Sequence, residues 1–179
     1  MPTLLAPLAE GFEEIEAVVP IDLLRRAGVT VTTAALGETT AVTGRSGITV
    51  HADTTLEAVR HQEFDAVFLP GGPGVKHLRA DARLGPLLRR QAAAGRWIAA
   101  ICAAPTVLHD AGLLHGRRYT AHFSVAGELP ALQPHERVVV DGRLVTSRGA
   151  GTAQDFALEL IARLVSPEKA AAVAEAICA

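Results

Sequence analysis

The chain has 179 residues and a formal net charge of −2, with no long run of like charge. That length suits a single domain, residues 1–179, with a substantial core; the charge balance lacks the basic patch expected of a nucleic-acid surface. Two cysteines, Cys102 and Cys178, do not make a disulfide framework, and no apolar run reaches the length of a membrane span, nor does the N-terminus read as a secretion signal. The expectation is therefore a soluble, cytoplasmic protein with no membrane or sequence-specific nucleic-acid partner.

Thr3–Ala9 is a short apolar run that reads as a first strand, broken by Gly11. From Glu13 to Ala27 the residues Ile15, Val18, Val19, Leu23 and Leu24 fall near helical spacing, with Pro20 inside and Gly28 as the stop. Pro20 should kink that helix. Val29–Ala35 reads as a second strand, and Val42–Val50 as two extended pieces around Gly44-Arg45-Ser46-Gly47. Thr54-Thr55-Leu56-Glu57 fits a capping box opening a short helix. Phe64–Leu69 is a buried strand that ends in Pro70-Gly71-Gly72-Pro73-Gly74, and a helix over Leu84–Ala94 stops at Gly95.

The strand Trp97–Ile101 then runs directly into Cys102-Ala103-Ala104-Pro105 and a helical segment, Thr106–Ala111. A strand entering a helix this abruptly needs a sharp turn, and the residue at the turn is presented at the top of the sheet. This is the geometry of a nucleophile elbow, here with sulfur. The helix that follows should favour the thiolate through its N-terminal dipole. His122, in the run Tyr119–Phe123, reads as lying just after a strand. Val138–Asp141 and Leu144–Ser147 form a hairpin on an Asp-Gly turn. A helix over Ala153–Val165 follows, then a last helix capped by Ser166 with Pro167 at its first position.

Strands alternating with helices, and core strands that are apolar throughout, indicate a mostly parallel sheet covered on both faces. In such a sheet ligands bind outside the carboxyl ends of the strands. Three segments lie there: Glu10–Glu16, Pro70–Gly74 and the elbow at Cys102.

The residue types at those ends suit thiol chemistry. Gly71 and Gly72 leave backbone N–H groups open to a reacting carbonyl, as an oxyanion hole requires. Glu13, Glu14 and Glu16 crowd the start of the first long helix, which places Glu13 and Glu16 on one face. A carboxylate beside a thiolate would be repelled, so one of the pair must hold a proton. A histidine near the sulfur can serve as base or proton shuttle; His122, His109, His115 and His135 all qualify by type, and spacing alone does not choose among them. No set of ligands repeats at a metal-binding spacing, and no phosphate-binding glycine pattern accompanies the Pro-Gly-Gly loop. Neither metal nor cofactor is expected.

Five segments together carry a resemblance to a known family: Gly11–Glu16, Pro20–Gly28, Leu69–Gly74, Ala99–Pro105 and Thr146–Thr152. In this order and spacing they resemble the ThiJ/PfpI superfamily over essentially the whole chain, most closely the branch of the Parkinson-disease protein deglycase and its YajL-like bacterial relatives. The resemblance implies a flavodoxin-like α/β three-layer sandwich, usually a homodimer, with Asp22 and Arg26 near the dimer contact. It implies Cys102 as nucleophile, Glu16 as the protonated acid bonded to it, His122 as the histidine near the sulfur, and Gly71, Gly72 and Ala103 as the lining of a small oxyanion pocket. Thr146–Thr152 matches a supporting segment. Phe123–Glu136 and Gly44–Gly47 depart from the family pattern, so the substrate preference is not fixed by it.

The activity implied is that of a cofactor-independent glyoxalase or deglycase acting on methylglyoxal, glyoxal or their early adducts. An oxidative-stress sensor or holdase chaperone would use the same sulfur, and hydrolases or hydratases occur elsewhere in the superfamily. Two of those branches fit poorly: the chain after Gly151 contains no His, as a glutamine amidotransferase would need, and Ala103 stands where the intracellular peptidases carry His.

Overall fold

A computed structural model describes residues 1–179. In chain order the elements are β1 (Thr3–Leu8), α1 (Glu14–Arg26), β2 (Thr30–Ala35), β3 (Ala41–Thr43), β4 (Thr49–His51), β5 (Thr54–Thr55), α2 (Leu56–Val59), β6 (Ala66–Leu69), α3 (Val75–Ala80), α4 (Leu84–Ala93), β7 (Trp97–Ile101), α5 (Pro105–Asp110), β8 (Val138–Asp141), β9 (Leu144–Ser147), α6 (Ala153–Leu164) and α7 (Pro167–Ala176). Seven strands form one sheet in the order β5-β2-β1-β6-β7-β9-β8, parallel except for the β8–β9 hairpin, while β3 and β4 pair separately as an antiparallel arm.

The period-2 alternation of each central strand divides the core into two layers. Leu5, Val67, Leu69, Ile98 and Ala100 face one side, where α2, α3, α4 and α5 supply Leu56, Leu78, Leu88 and Leu108. Leu4, Ala6, Phe68, Ala99 and Ile101 face the other, where α1, α6 and α7 supply Leu24, Phe156, Leu160 and Val173. The ring of Phe156 lies tilted on Phe68 with centroids 5.5 Å apart, which locks α6 to the middle of the sheet. This is the flavodoxin-like three-layer sandwich expected from the sequence. No helix is long and apolar enough to cross a membrane.

Three local expectations are corrected. Thr54 and Thr55 do not form a capping box: both are extended, pair with Ala34 and Ala35 of β2, and Thr55 makes no side-chain cap bond to α2. The sheet ladder claims the threonines before the helix can. The residues just before His122, Tyr119–Ala121, are not a strand; Tyr119 makes one isolated bridge to Leu132, and Thr120 bonds instead to the Thr146 hydroxyl and to the carbonyls of Gln133 and Glu136. Finally, α3 was not anticipated. Its six residues bury only Val75 and Leu78, too few for a periodic signal. The helix α1 continues through Pro20, which is buried.

Candidate active site

The first contributor is β7, whose five residues are all buried and pair in parallel with β6 and β9. Where it ends, Cys102 takes a left-handed backbone conformation, φ 63°. A non-glycine residue rarely adopts it, and the cost persists only where the surroundings fix it from several sides. Here they do: the Cys102 N–H donates to the Ser147 carbonyl at 2.9 Å, and the Cys102 carbonyl accepts from the His122 N–H at 2.9 Å. Pro105 then starts α5 at its first turn, where its missing N–H costs nothing. The expected elbow is present, with a half-buried sulfur at its tip.

The second contributor is the glycine loop after β6. Its Gly71 carbonyl accepts from the Glu13 N–H at 3.0 Å, and the Gly74 N–H donates to the Gly11 carbonyl at 2.8 Å, so this loop and the one entering α1 are stitched together. At Gly72, φ is 93°, and a Cβ would stand 2.6 Å from the Glu13 nitrogen. At Gly71 a Cβ would collide with the Glu16 carboxyl and come within 2.6 Å of the Cys102 Cβ. Gly71 thus marks the place where Glu16 and Cys102 converge, and only a residue without a side chain lets them meet.

The three acids of α1 have three separate tasks. Glu13 is the N-cap, its carboxylate accepting from the Glu16 N–H at 2.8 Å. Glu14 is buried and braces the β3–β4 arm by accepting from the Ser46 N–H at 2.7 Å; burial pushes its proton affinity up, but the hydrogen bonds around Ser46 and Ile48 outweigh it and hold the carboxyl below the usual range. Glu16, only 1% exposed, points at the sulfur. The sequence grouped Glu13 with Glu16 on one face; the structure uses the first to fix the helix and only the second at the site.

Burial pushes the Glu16 carboxyl up to about 7, and the Glu13 charge adds to it, against hydrogen bonds from Cys102 and the Gly71 and Ala150 N–H groups. With Glu16 ionised, the Cys102 thiol is pushed up to about 12, first by burial, then by the charge and hydrogen bonding of Glu16, against the N–H groups of Gly72 and Ala103. Each group shifts the other's proton affinity. The two therefore titrate as a unit that holds a single proton between the two steps. Burial and the neighbouring acid are the largest influences on the sulfur.

One oxyanion assignment changes. The Gly71 N–H donates to the Glu16 carboxylate at 3.1 Å and is not free for a substrate oxygen. The N–H groups of Gly72 and Ala103 face the sulfur, and neither donates to another backbone carbonyl. Of the predicted lining residues, these two keep N–H groups beside the sulfur that no backbone carbonyl takes up, while Gly71 donates to the acid.

Among the four histidines, His122 stands at the site, while His109, His115 and His135 are exposed. Its Nδ1 lies 2.8 Å from the Ser124 hydroxyl and accepts from the Ser124 N–H at 3.2 Å, which leaves the other ring nitrogen carrying the hydrogen when neutral. The ring stacks on the exposed Phe123, centroids 4.0 Å apart. A Cβ at Gly149 would touch both His122 Cδ2, at 3.4 Å, and Glu16 Oε1, at 3.6 Å, so histidine and acid border the same small space. The Thr152 hydroxyl holds that segment, bonding the N–H and carbonyl of Gly149 and the Ser147 hydroxyl. Asp22 and Arg26 lie elsewhere, as an exposed i,i+4 ion pair on α1. No group of three or more His, Cys, Asp or Glu residues could hold a metal ion.

The chain can be set beside known proteins. The pattern of the DJ-1/PfpI family matches residues 3–163. Protein dj-1beta of Drosophila melanogaster is 42% identical over 174 residues, covering 95% of this chain and 93% of that protein. The glutathione-independent glyoxalase DJR-1.2 of Caenorhabditis elegans is 36% identical over 172 residues, covering 94% and 91%. Among solved structures, oxidized DJ-1 of Toxoplasma gondii superposes with a TM-score of 0.96 at 39% identity, covering 99% of this chain and 98% of that one.

Proposed function

Since the chain belongs to the DJ-1/PfpI family, we propose that it is a glutathione-independent glyoxalase, converting methylglyoxal or glyoxal to the hydroxy acid and acting on their early adducts as a deglycase. The observation that carries this reading is the convergence of Glu16 and Cys102 over Gly71. It provides a nucleophile and a proton store in contact, with no need for a metal ion or a thiol cofactor.

In the reacting form the shared proton sits on Glu16 and the Cys102 sulfur is anionic. The thiolate adds to the aldehyde carbon, and the resulting alkoxide is held by the Gly72 and Ala103 N–H groups. A proton leaves that carbon and returns at the neighbouring carbonyl carbon through an enediol, carried by Glu16 or His122. The aldehyde carbon is thereby oxidised to a thioester while its neighbour is reduced to an alcohol. Water then cleaves the thioester, releasing lactate from methylglyoxal and restoring the thiolate. The net change is addition of one water, so no external oxidant or reductant enters.

Incubation with methylglyoxal in the absence of glutathione should yield lactate. Cys102→Ser and Glu16→Gln should each reduce the rate by about 10²-fold or more. Failure of the wild type to form lactate would remove this reading.

A second reading, a sensor of oxidants, has its own support. The same two N–H groups that would hold an alkoxide suit the oxygens of a sulfinate, and the sulfur is half-buried rather than sealed. Selective oxidation of Cys102 by dilute peroxide, in a protein that forms no lactate, would favour it. We also propose a cytoplasmic homodimer through α1, where Ile15 and Val18 are about half exposed beside the Asp22–Arg26 pair; light scattering that gives the monomer mass would exclude the dimer.

A further inference from the structure

At the opposite end of the sheet, where β1, β6, β7 and β9 begin, lies a cavity of about 560 Å³ whose lining includes Asp65, Arg96, Trp97, Arg143 and Arg163. Cys102 is five residues further along β7, roughly 17 Å away at strand rise, so this cavity owes nothing to the thiol chemistry. Three guanidinium groups line it against one carboxylate. That carboxylate is already engaged: Asp65 accepts from the Thr3 N–H at 2.8 Å and the Thr3 hydroxyl at 3.0 Å. Arg96 and Arg163 each keep one acid partner, Glu63 and Glu159, neither of which lines the cavity.

Arg143 is different. It follows the Asp-Gly turn of the β8–β9 hairpin and makes no ion pair. Its guanidinium lies 4.8 Å over the ring of Trp97, and that face-on contact orients it without using its N–H donors. A second cavity of about 270 Å³ shares Arg96 and Arg143 with the first and adds Arg117, whose guanidinium lies 3.7 Å from Asp141. Guanidinium groups thus line two neighbouring cavities, with Arg143 in the wall of both and its donor fork free. Guanidinium matches phosphate oxygens by paired hydrogen bonds, where a lysine would offer only a point charge. The larger cavity alone has the size of a small-molecule site.

We propose that this site binds a small molecule carrying two or more linked phosphate groups, with Arg143 and Arg163 as its principal contacts. The spread of arginines over two neighbouring cavities favours a linked anion over a single phosphate.

Trp97 is the only tryptophan in the chain, so its emission reports on the site directly. Titration with sodium pyrophosphate at about 150 mM salt, followed by fluorescence and by calorimetry, should give saturable binding with Kd below about 1 mM. Arg143→Ala and, separately, Arg163→Gln should weaken it about tenfold or more, each variant keeping the wild-type circular dichroism spectrum and lactate formation. Calorimetry is needed for Arg143→Ala because losing the stacked guanidinium itself changes the Trp97 emission. Orthophosphate should bind at least tenfold more weakly. No saturable binding of pyrophosphate by either method, unchanged affinity in both variants, or orthophosphate binding as tightly as pyrophosphate would overturn the proposal.

Discussion

The carbonyl of Cys102 accepts a hydrogen bond from the His122 N–H at 2.9 Å, so the strained turn and the histidine beside it are one unit. The tie explains how a histidine 20 residues beyond the cysteine, outside any strand, reaches the site. It also separates two parts of that residue: the backbone holds the elbow, and the ring is what the proposed chemistry would use for proton transfer. Replacing His122 with Ala keeps the first and removes the second. The expected result is a loss in kcat of about 10²-fold with a folded protein. Ser124→Ala, which removes the hydroxyl contact but keeps the backbone N–H bond to Nδ1, should cost up to about tenfold, in kcat more than in KM. Equal losses from the two variants would mean that ring orientation, not proton transfer, is what His122 supplies.

Gly71→Ala is the sharpest steric test. Its methyl would press on the Glu16 carboxyl and the Cys102 Cβ together. Overpacking of this kind costs about 1–3 kcal/mol, which a domain of this size should survive. Lactate formation should fall by at least about 10²-fold while the far-ultraviolet spectrum is unchanged. An active Gly71→Ala enzyme would show that the contact between acid and sulfur is not needed.

The Glu16 carboxyl also sets a pH dependence of stability. Paired with Cys102, it belongs to a unit that gives up its first proton at about 7 in the folded chain, whichever of the two groups then carries the charge, where a free glutamate would lose its own near 4.5. A raised group stabilises the fold fully below its unfolded value, and that contribution is lost as the pH rises through the folded value. Wild-type protein should therefore lose stability relative to Glu16→Gln between about pH 4.5 and 7, by at most about 3–4 kcal/mol at ~1.4 kcal/mol per unit. Urea midpoints of the two proteins at pH 4.5 and pH 8 measure the difference. Acids held low by folding, such as Glu14 and Asp81, act with the opposite sign at lower pH and are common to both proteins. A constant gap between wild type and variant would mean that Glu16 is not buried with a raised affinity.

Much of this arrangement is legible in the sequence where apolar pattern and turn chemistry agree. Trp97–Ile101 and the Val138–Ser147 hairpin have the bounds expected of them, because continuous apolar runs end at residues that cannot extend a strand. Cys102 could be found because a strand there meets a helix with no room for a loop. What the sequence hid depends on contacts distant along the chain. The Gly71 N–H is consumed by an acid 55 residues away. The division of labour among Glu13, Glu14 and Glu16 is decided by Ser46 and Cys102, which no local spacing reveals. Tyr119–Ala121 has strand-like residues, but its polar groups are spent on Gln133, Glu136 and Thr146.

The location of the shared proton decides whether the pair is a catalyst at neutral pH. In a Cys178→Ser background only one thiol remains, and its ionisation can be followed by thiolate absorbance near 240 nm. If Glu16 retains the hydrogen, the Cys102 thiolate appears with a midpoint at or below about 7, as the pair loses its first proton. A sulfur that stays protonated until the pH approaches about 12 would place the charge on the carboxylate instead and contradict the thiolate chemistry proposed for this protein.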